Sequence, residues 1–220
     1  AIISCQSLSS IEIVVEGLQR KGSNVRKIAL KLACAAMGMW TTIANAQVPP
    51  GFADELVVPA PWFLGVGVGF APEGGVASGR IFVWDKYGRV YNVENGVANP
   101  IPLIDLHEEV GDWRDHGLLG FTVDPNFSTN GYIYLLYVVD FHHLKYFGTA
   151  SYDPSANEYL RDTIGRVTRY TCNAGDGFRS VDLASRKVLL GESMSTGMPM
   201  VHQSHGVGAL VFGTDGTLLV

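Results

Sequence analysis

The amino-acid sequence predicts an all-β protein made of small antiparallel sheets that repeat along the chain, as in a β-propeller. Its apolar runs are short, and none keeps a 3.6-residue period. Turn signals such as Asn95-Gly96 separate these runs. A unit of apolar strand, Phe, turn residues and second strand recurs at Phe70, Phe121 and Phe212, with offsets of 51 and 91 residues. Such units bury their faces only by stacking on their neighbours, which predicts successive blades.

Residues 1–46 are predicted to be an upstream extension and a signal peptide. Three basic residues between positions 26 and 31 precede an apolar run over 32–43, and Ala44-Asn45-Ala46 has the small-x-small pattern that signal peptidase recognises. We therefore expect cleavage after Ala46 and a periplasmic or secreted domain over 47–220. A membrane anchor is the alternative, but the apolar run is about half of the roughly 20 residues that span a bilayer.

The charge of the predicted mature segment excludes one class of partner. The chain has 16 Lys and Arg against 21 Asp and Glu, and residues 1–46 contain five of the basic and two of the acidic side chains. Residues 47–220 therefore carry a net charge of −8. Nucleic-acid affinity comes largely from neutralising phosphates, so an acidic chain argues against it. Cys172 is the one cysteine of this segment, so no disulfide framework is expected, and no membrane contact is expected after cleavage.

The strands are predicted in chain order from alternation and turn signals. Over residues 64–70, four apolar side chains fall on one face and three glycines on the other, which indicates that another backbone or a ligand lies close to the glycine face. The later strands are expected at 80–84, 89–93, 117–125, 132–139, 164–170, 209–212 and 218–220. Residues 142–161, including His142 and His143, are interpreted as a long surface loop.

Two histidines precede the last predicted hairpin, in which Gly213-Thr214-Asp215-Gly216-Thr217 joins two short apolar runs. A histidine at a glycine-flanked strand end is well placed to face a cavity. The unperturbed pKa of an imidazole, roughly 6.5, suits it to accept a proton near neutrality. His205 is the candidate base, and the alternative is a histidine bonded to nearby backbone.

Taken in order, these motifs resemble the soluble PQQ-dependent glucose/sorbosone dehydrogenases. The most specific matches are Gly117-Leu118-Leu119-Gly120-Phe121 and the segment from His205 to Gly216, which follows the family pattern of histidine, Gly-x-x-[Leu/Val]-x-Phe-Gly-x-Asp-Gly. That family folds as a six-bladed β-propeller. The resemblance implies that residues 47–220 form the first two blades and the start of a third, an N-terminal fragment expected to be inactive alone.

The resemblance also implies an activity, the oxidation of an aldose or sorbosone-type sugar with PQQ and Ca²⁺ as cofactors and an external electron acceptor. His205 would be the general base that removes the hydroxyl proton while hydride passes to the quinone. One positioned base contributes on the order of 10²–10⁴ in rate. The residues that hold the quinone and the calcium would lie mainly downstream of Val220.

Two positions depart from the family pattern. Asp115 lies two residues before Gly117, where family members place a polar residue, commonly Gln, at the active-site rim. We take Asp115 as a candidate substrate contact, with a plain surface carboxylate as the alternative. Ser204 stands where the well-studied glucose enzymes have Asp. These departures keep a second hypothesis open, a non-catalytic extracellular binding module of the same superfamily.

The acidic cluster between the two predicted blades has carboxylate oxygens, which calcium prefers as ligands. Its members are Asp105, Glu108, Glu109 and Asp112. A solvated acidic loop is the favoured interpretation, so no metal ligand is assigned. A calcium-dependent lactonase on a similar propeller is the third hypothesis.

Overall fold

A computed structural model describes residues 49–53, 56–59, 61–62 and 64–220. The predicted signal peptide and its cleavage position after Ala46 lie outside these residues. The chain divides into one unit that ends at Phe52 and another that begins at Ala53, and all helices and strands named below belong to the second unit. Within the described ranges, no helix has the length and hydropathy needed to cross a membrane.

The first sheet is an antiparallel meander of β1 (Gly65–Phe70), β2 (Ile81–Asp85), β3 (Arg89–Glu94) and β4 (Val97–Ala98). A short strand, β5 (Ile104–Asp105), pairs with the first residues of β3. The predicted turn at Asn95-Gly96 joins β3 to β4, and both residues have positive φ, 51° and 75°. This conformation is the one that Asn-Gly tolerates in a tight hairpin.

The second sheet repeats this plan with longer strands. It contains β6 (Leu118–Val123), β7 (Tyr132–Val138), β8 (Thr163–Cys172) and β9 (Val181–Leu190) in sequential antiparallel order, and β10 (Met198–Met200) pairs with the start of β8. Short helices connect the strands, α1 (Phe127–Asn130) after β6 and α2 (Phe141–Tyr146) after β7, and a 3₁₀ turn over Ala174–Asp176 follows β8.

A final hairpin of β11 (Val211–Phe212) and β12 (Leu218–Leu219) follows the second sheet. The described chain is therefore all-β, with two consecutive meander sheets and a third hairpin, and the predicted fold class is confirmed. The number of blades in a complete propeller stays a prediction.

The glycine face of β1 makes room for an indole ring. A Cβ added to Gly67 would lie 2.2 Å from the ring of Trp84, and Trp84 packs in turn on Phe121 of β6 at 5.4 Å between ring centroids. The close neighbour predicted from the glycines is thus an aromatic side chain, neither backbone nor ligand. The opposite face of β1 is exposed, and Phe70 has 69% of its surface accessible.

Aromatic side chains also fill the space between the two sheets. Phe82 of β2 lies 5.4 Å from Phe121 and 5.7 Å from Phe127, and Phe127 lies 5.3 Å from Phe178. All four are buried. Aromatic pairs at these separations stabilise a core beyond the area that they bury, by about 0.5–1.5 kcal/mol each.

A buried arginine joins the two sheets. Arg80, with 2% exposure, donates from Nη1 to the carbonyl oxygen of Phe178 at 2.6 Å and from Nη2 to that of Gly177 at 2.8 Å. Its Nε lies 2.9 Å from the Glu94 carboxylate, which also pairs with Arg179 at 2.8 Å. The first sheet therefore holds the turn after β8 through charged hydrogen bonds.

The interpretation of residues 142–161 as a plain surface loop is wrong at its beginning. Asp140 caps helix α2, because its side chain accepts the backbone N–H groups of His142 and His143. Both histidines are buried, with 9% and 8% exposure. The capping aspartate, which satisfies two free N–H groups of the first turn, explains why a helical turn begins here.

Candidate functional site

The structure brings the segments of Asp115 and His205 together. The backbone N–H of Asp115 donates to the carbonyl oxygen of Gln203 at 3.1 Å, and Trp113 Nε1 donates to Gln203 Oε1 at 3.3 Å. Gly206, next to His205, lies so close that a Cβ there would be 2.3 Å from the carbonyl oxygen of Asp115. The loop before β6 and the loop after β10 therefore form one continuous rim.

Contacts with Lys86 of the first sheet hold the loop before β6 in place. Lys86, in the turn between β2 and β3, donates its Nζ to the carbonyl oxygen of Arg114, and its own carbonyl oxygen accepts the N–H of Leu118 at 3.1 Å. Gly117 has a φ of 147°, and a Cβ there would lie 2.6 Å from the carbonyl oxygen of Lys86. The Gly-Leu-Leu-Gly-Phe motif thus begins with a glycine because the turn of the neighbouring sheet leaves no room for a side chain.

His205 lies at the end of a tight turn that starts at His202. The backbone N–H of Ser204 donates to His202 Nδ1 at 3.1 Å, and the two imidazole centroids are 6.3 Å apart. His205 is exposed, as is Asp115. Within the described part of the chain, the imidazole of His205 makes no hydrogen bond, so a ring tied to nearby backbone is not observed.

A second histidine of the rim has a structural contact. His116 is 7% exposed, and its Nε2 lies 3.2 Å from the carbonyl oxygen of His202. Together with the two bonds to Gln203, this contact fixes the beginning of the histidine turn against the loop before β6. Sequence reasoning missed this role, since nothing in the spacing of His116 and His202 indicates that they meet.

A cleft opens beside this rim, between the loop before β6, helix α2 and the segment before β8. Its cavity volume is ≈ 80 Å³, below the range of about 300–1,000 Å³ that is typical of complete small-molecule sites, so the cleft is shallow. One wall is an aromatic stack of Trp113 on Tyr159, with ring centroids 4.8 Å apart, and the Tyr159 hydroxyl donates to Asp112 at 3.3 Å. The polar lining residues include His116, Asp140, Glu158, Arg161, His202 and Gln203.

Two carboxylates of this cleft, those of Glu158 and Asp140, are already bonded to the protein. Glu158 Oε1 lies 3.2 Å from His142 Nδ1, and its backbone N–H donates to Asp140 at 3.1 Å. Burial raises the pKa of Asp140, although the N–H groups of His143, Glu158 and His142 oppose the shift. These bonds tie helix α2 to the segment before β8.

The interpretation of the acidic cluster as a solvated loop is wrong for Glu109, which is buried, whereas Asp105 and Glu108 are exposed. Its Oε1 lies 2.6 Å from Arg166 Nη1 and 2.8 Å from Arg186 Nη2, and it accepts the Tyr137 hydroxyl at 2.5 Å. Burial would raise the pKa of Glu109, but Arg186, the Tyr137 hydroxyl and Arg166 outweigh it and hold the pKa below its usual range. No sequence pattern indicates this burial, since the partners of Glu109 are distant in the chain.

The other acidic residues of the cluster are also paired. Asp105 binds Arg89 at 2.9 Å, and Glu108 and Asp112 accept the hydroxyl groups of Tyr152 and Tyr159. Among the residues that the structure describes, no three His, Cys, Asp or Glu side chains group as metal ligands. The described residues therefore offer no group of carboxylate ligands for a calcium ion.

They do not fit a tricarboxylated quinone either, which needs several free cations in one place. The Lys86 ammonium is bonded to the Arg114 carbonyl. The Arg114 guanidinium lies 5.9 Å from the Trp113 ring centroid, and that of Arg161 lies 4.6 Å from the Phe141 ring centroid. Around the rim, the described cations are thus spread over protein groups rather than gathered beside His205.

Comparison with known proteins gives distant similarities. No family model matches the chain. It is 29% identical over 157 residues to the human Hedgehog-interacting protein, a match that covers 68% of this chain and 19% of that protein.

Solved structures of glucose dehydrogenases are similar at a lower level. An oxidoreductase from Thermus thermophilus described as a glucose dehydrogenase has a TM-score of 0.46 and 20% identity over 70% of this chain and 35% of that one. Another glucose dehydrogenase has a TM-score of 0.44 and 18% identity over 69% and 35%. The chain thus spans about a fifth of the relative and about a third of these structures.

Proposed function

We propose that the chain is the N-terminal part of an exported, PQQ-dependent dehydrogenase that oxidises an aldose or sorbosone-type sugar. The observation that supports this best is the shared rim, on which the candidate base His205 and the candidate substrate contact Asp115 are held by the Asp115 to Gln203 hydrogen bond. Both side chains are exposed at this rim and neither is hydrogen-bonded to the other.

The chain's own contribution is a base and a sugar contact. The exposed imidazole of His205 accepts the proton of the reacting hydroxyl, since no protein group competes for its ring nitrogens within the described residues. The carboxylate of Asp115 accepts a hydrogen bond from a second hydroxyl. The stacked Trp113 and Tyr159 offer an apolar surface beside them, of the kind on which the C–H face of a sugar ring packs.

The cofactor sites belong to other parts of the proposed enzyme. Because the described residues offer neither a cluster of free cations for the quinone nor a group of side-chain ligands for calcium, the proposal requires those ligands from outside the described residues. This requirement makes the proposal testable on the complete protein. An external electron acceptor would then reoxidise the cofactor.

Reconstitution of the complete protein tests this function. Dye-linked oxidation of a panel of aldoses is measured with PQQ and Ca²⁺ together, with each alone, and after chelation by EDTA. The proposal predicts oxidation only when both are present. Sugar-independent dye reduction, or no oxidation of any aldose or of sorbosone by a folded and fully loaded sample, contradicts it.

A second candidate is a non-catalytic extracellular binding module. The similarity to a protein named for its interaction with Hedgehog favours it, as does the presence of Ser204 where the glucose enzymes have Asp. The exposed rim of Asp115 and His205 would then contact a protein partner instead of a sugar. A complete protein that neither binds PQQ nor oxidises sugars, while folded, would favour this candidate.

A further inference from the structure

One asparagine lies in a sequence that oligosaccharyltransferase accepts. Asn126-Phe127-Ser128 is the only Asn-x-Ser/Thr triplet of the 220 residues, with x other than proline. In secreted proteins such a triplet accepts an N-linked glycan, provided that the asparagine is at the surface. The triplet is short enough to occur by chance, so its surroundings decide whether it is a usable site.

The structure holds the backbone of Asn126 and leaves its side chain at the surface. The N–H of Asn126 donates to Asp124 Oδ1 at 2.8 Å, and its carbonyl oxygen accepts the N–H groups of Thr129 and Asn130. Asn126 is exposed, and its side chain makes no capping hydrogen bond to helix α1. The amide nitrogen is therefore not used by the fold.

The neighbouring residue fixes the direction of this turn. Phe127 is 0% exposed and packs between Phe82 and Phe178 in the space between the sheets. With Phe127 anchored in the core, the preceding asparagine stays outside it. A glycan on Asn126 would extend into solvent without disturbing the packing of the sheets.

Asn126 also lies at the far end of the second sheet from the rim. It follows β6, whereas the loop that contains Asp115 precedes β6. The six residues of this strand span about 20 Å at roughly 3.3 Å per residue. A glycan on Asn126 would thus leave the rim accessible.

We propose that Asn126 carries an N-linked glycan when the chain passes through a eukaryotic secretory pathway. In the transfer, the amide Nδ2 forms a bond to the anomeric carbon of a lipid-pyrophosphate-linked oligosaccharide. The bond from that carbon to the pyrophosphate oxygen breaks, the lipid pyrophosphate leaves, and the amide loses one proton to a base of the transferase. This inference rests on export and not on the dehydrogenase activity.

The serine of the triplet indicates when transfer occurs. In the folded chain, Ser128 Oγ donates to the carbonyl oxygen of Gly74 at 2.8 Å, and a Cβ added to Gly75 would lie 2.7 Å from Ser128 Cβ. The hydroxyl is thus occupied by the loop between β1 and β2. Transfer therefore precedes the packing of this loop against the second sheet.

The test is secretion of the complete protein from a eukaryotic cell line, once with its own N-terminus and once with a proven signal peptide. We expect the peptide that contains Asn126 to carry a glycan, and peptide N-glycosidase F to convert Asn126 to aspartate in its mass spectrum. Asn126→Gln and Ser128→Ala should each leave this peptide without a glycan. Ser128→Thr, which keeps the triplet, and Thr129→Ala, which lies outside it, should retain the glycan on this peptide.

The two secretion experiments separate the role of Asn126 as acceptor from the predicted export signal. A glycan with the proven signal peptide alone supports Asn126 as the acceptor and contradicts the predicted export signal. A secreted, folded protein without any glycan in the signal-peptide arm overturns the inference. A secreted protein whose glycans all lie on peptides other than the one that contains Asn126 overturns it as well.

Discussion

The backbone N–H of Asp115 and the carbonyl oxygen of Gln203 are 3.1 Å apart, and this hydrogen bond joins the loop before the second sheet to the loop that carries His205. The bond uses backbone atoms, so it does not depend on the chemical character of either side chain. It holds the two exposed candidate residues on one rim while leaving their side chains free for a ligand.

Gly206 gives the sharpest test of this arrangement. In Gly206→Ala, the added methyl group would meet the carbonyl oxygen of Asp115 and the side chain of Leu119, so the two loops must separate. We expect roughly a 10- to 100-fold loss in kcat/KM for sugar oxidation, the range that follows from misplacing reacting groups by about 1 Å.

Gly208→Ala is the matched control, since a Cβ at Gly208 has no neighbour within 4 Å and its backbone is not left-handed. It should retain the activity of the unchanged protein. Equal losses in the two variants would show that the loop tolerates no side chain at all, and would contradict a specific contact at Gly206.

Arg80 is predicted to stabilise the pairing of the two sheets. In Arg80→Met, the carbonyl oxygens of Gly177 and Phe178 lose their charged donor while the aliphatic volume is kept. Hydrogen bonds to charged groups contribute about 1.5–3 kcal/mol each, so we expect the free energy of unfolding to fall by about 3 kcal/mol. Urea denaturation followed by tryptophan fluorescence measures it.

The control for Arg80 is Arg179→Met, which removes the exposed partner of the same carboxylate, Glu94. Its effect should be much smaller, because an exposed ion pair is screened by water. A larger loss in Arg179→Met than in Arg80→Met would contradict the assignment of the buried guanidinium as the group that joins the sheets.

Glu109 is predicted to make the free energy of unfolding depend on pH in the acid range. Because its pKa in the folded protein is lowered, the ionised carboxylate stabilises the fold above the unfolded value of roughly 4.3, and this stability is lost as pH falls through the folded pKa. Glu109→Gln leaves Arg166 and Arg186 without their shared partner, and should cost about 3–5 kcal/mol near neutral pH.

The measurement is the free energy of unfolding in urea between about pH 7 and about pH 3. The unchanged protein should lose stability towards the acid end, and Glu109→Gln should show a flatter curve. Glu73→Gln, at an exposed position, should follow the unchanged protein. A curve for Glu109→Gln that is parallel to that of the unchanged protein would show that another group carries the acid dependence.

Local patterns predicted eight of the twelve described strands, missing β4, β5, β9 and β10, and they predicted the partners of polar residues poorly. Alternation and turn residues indicate a strand because its period is local, and the predicted hairpin after His205 is present as β11 and β12. The burial of Glu109 depends on Tyr137, Arg166 and Arg186, which meet it only after the second sheet has formed. No spacing rule connects residues of this kind.

In the candidate site, too, local patterns predicted some features, and contacts between distant residues were not predicted. The family resemblance of the Gly117 motif and of the His205 segment pointed to Asp115 and His205, and the structure joins the loops of these two residues by the Asp115 to Gln203 hydrogen bond. The stack of Trp113 on Tyr159 was not predicted, since Tyr159 lies in the stretch taken as a surface loop. Helix α2 follows from the Asp140 cap, which is visible in the sequence only if a capping residue is sought there.

The decisive measurement is the rate of sugar oxidation by His205→Ala. The complete protein, loaded with PQQ and Ca²⁺, is compared with His205→Ala and with His107→Ala, an exposed histidine that contacts Asp105 beside the first sheet. We expect kcat to fall by roughly 10²–10⁴ in His205→Ala and to be retained in His107→Ala, because one positioned base contributes that much. An unchanged rate in a folded, fully loaded His205→Ala protein would contradict the role of His205 as the base.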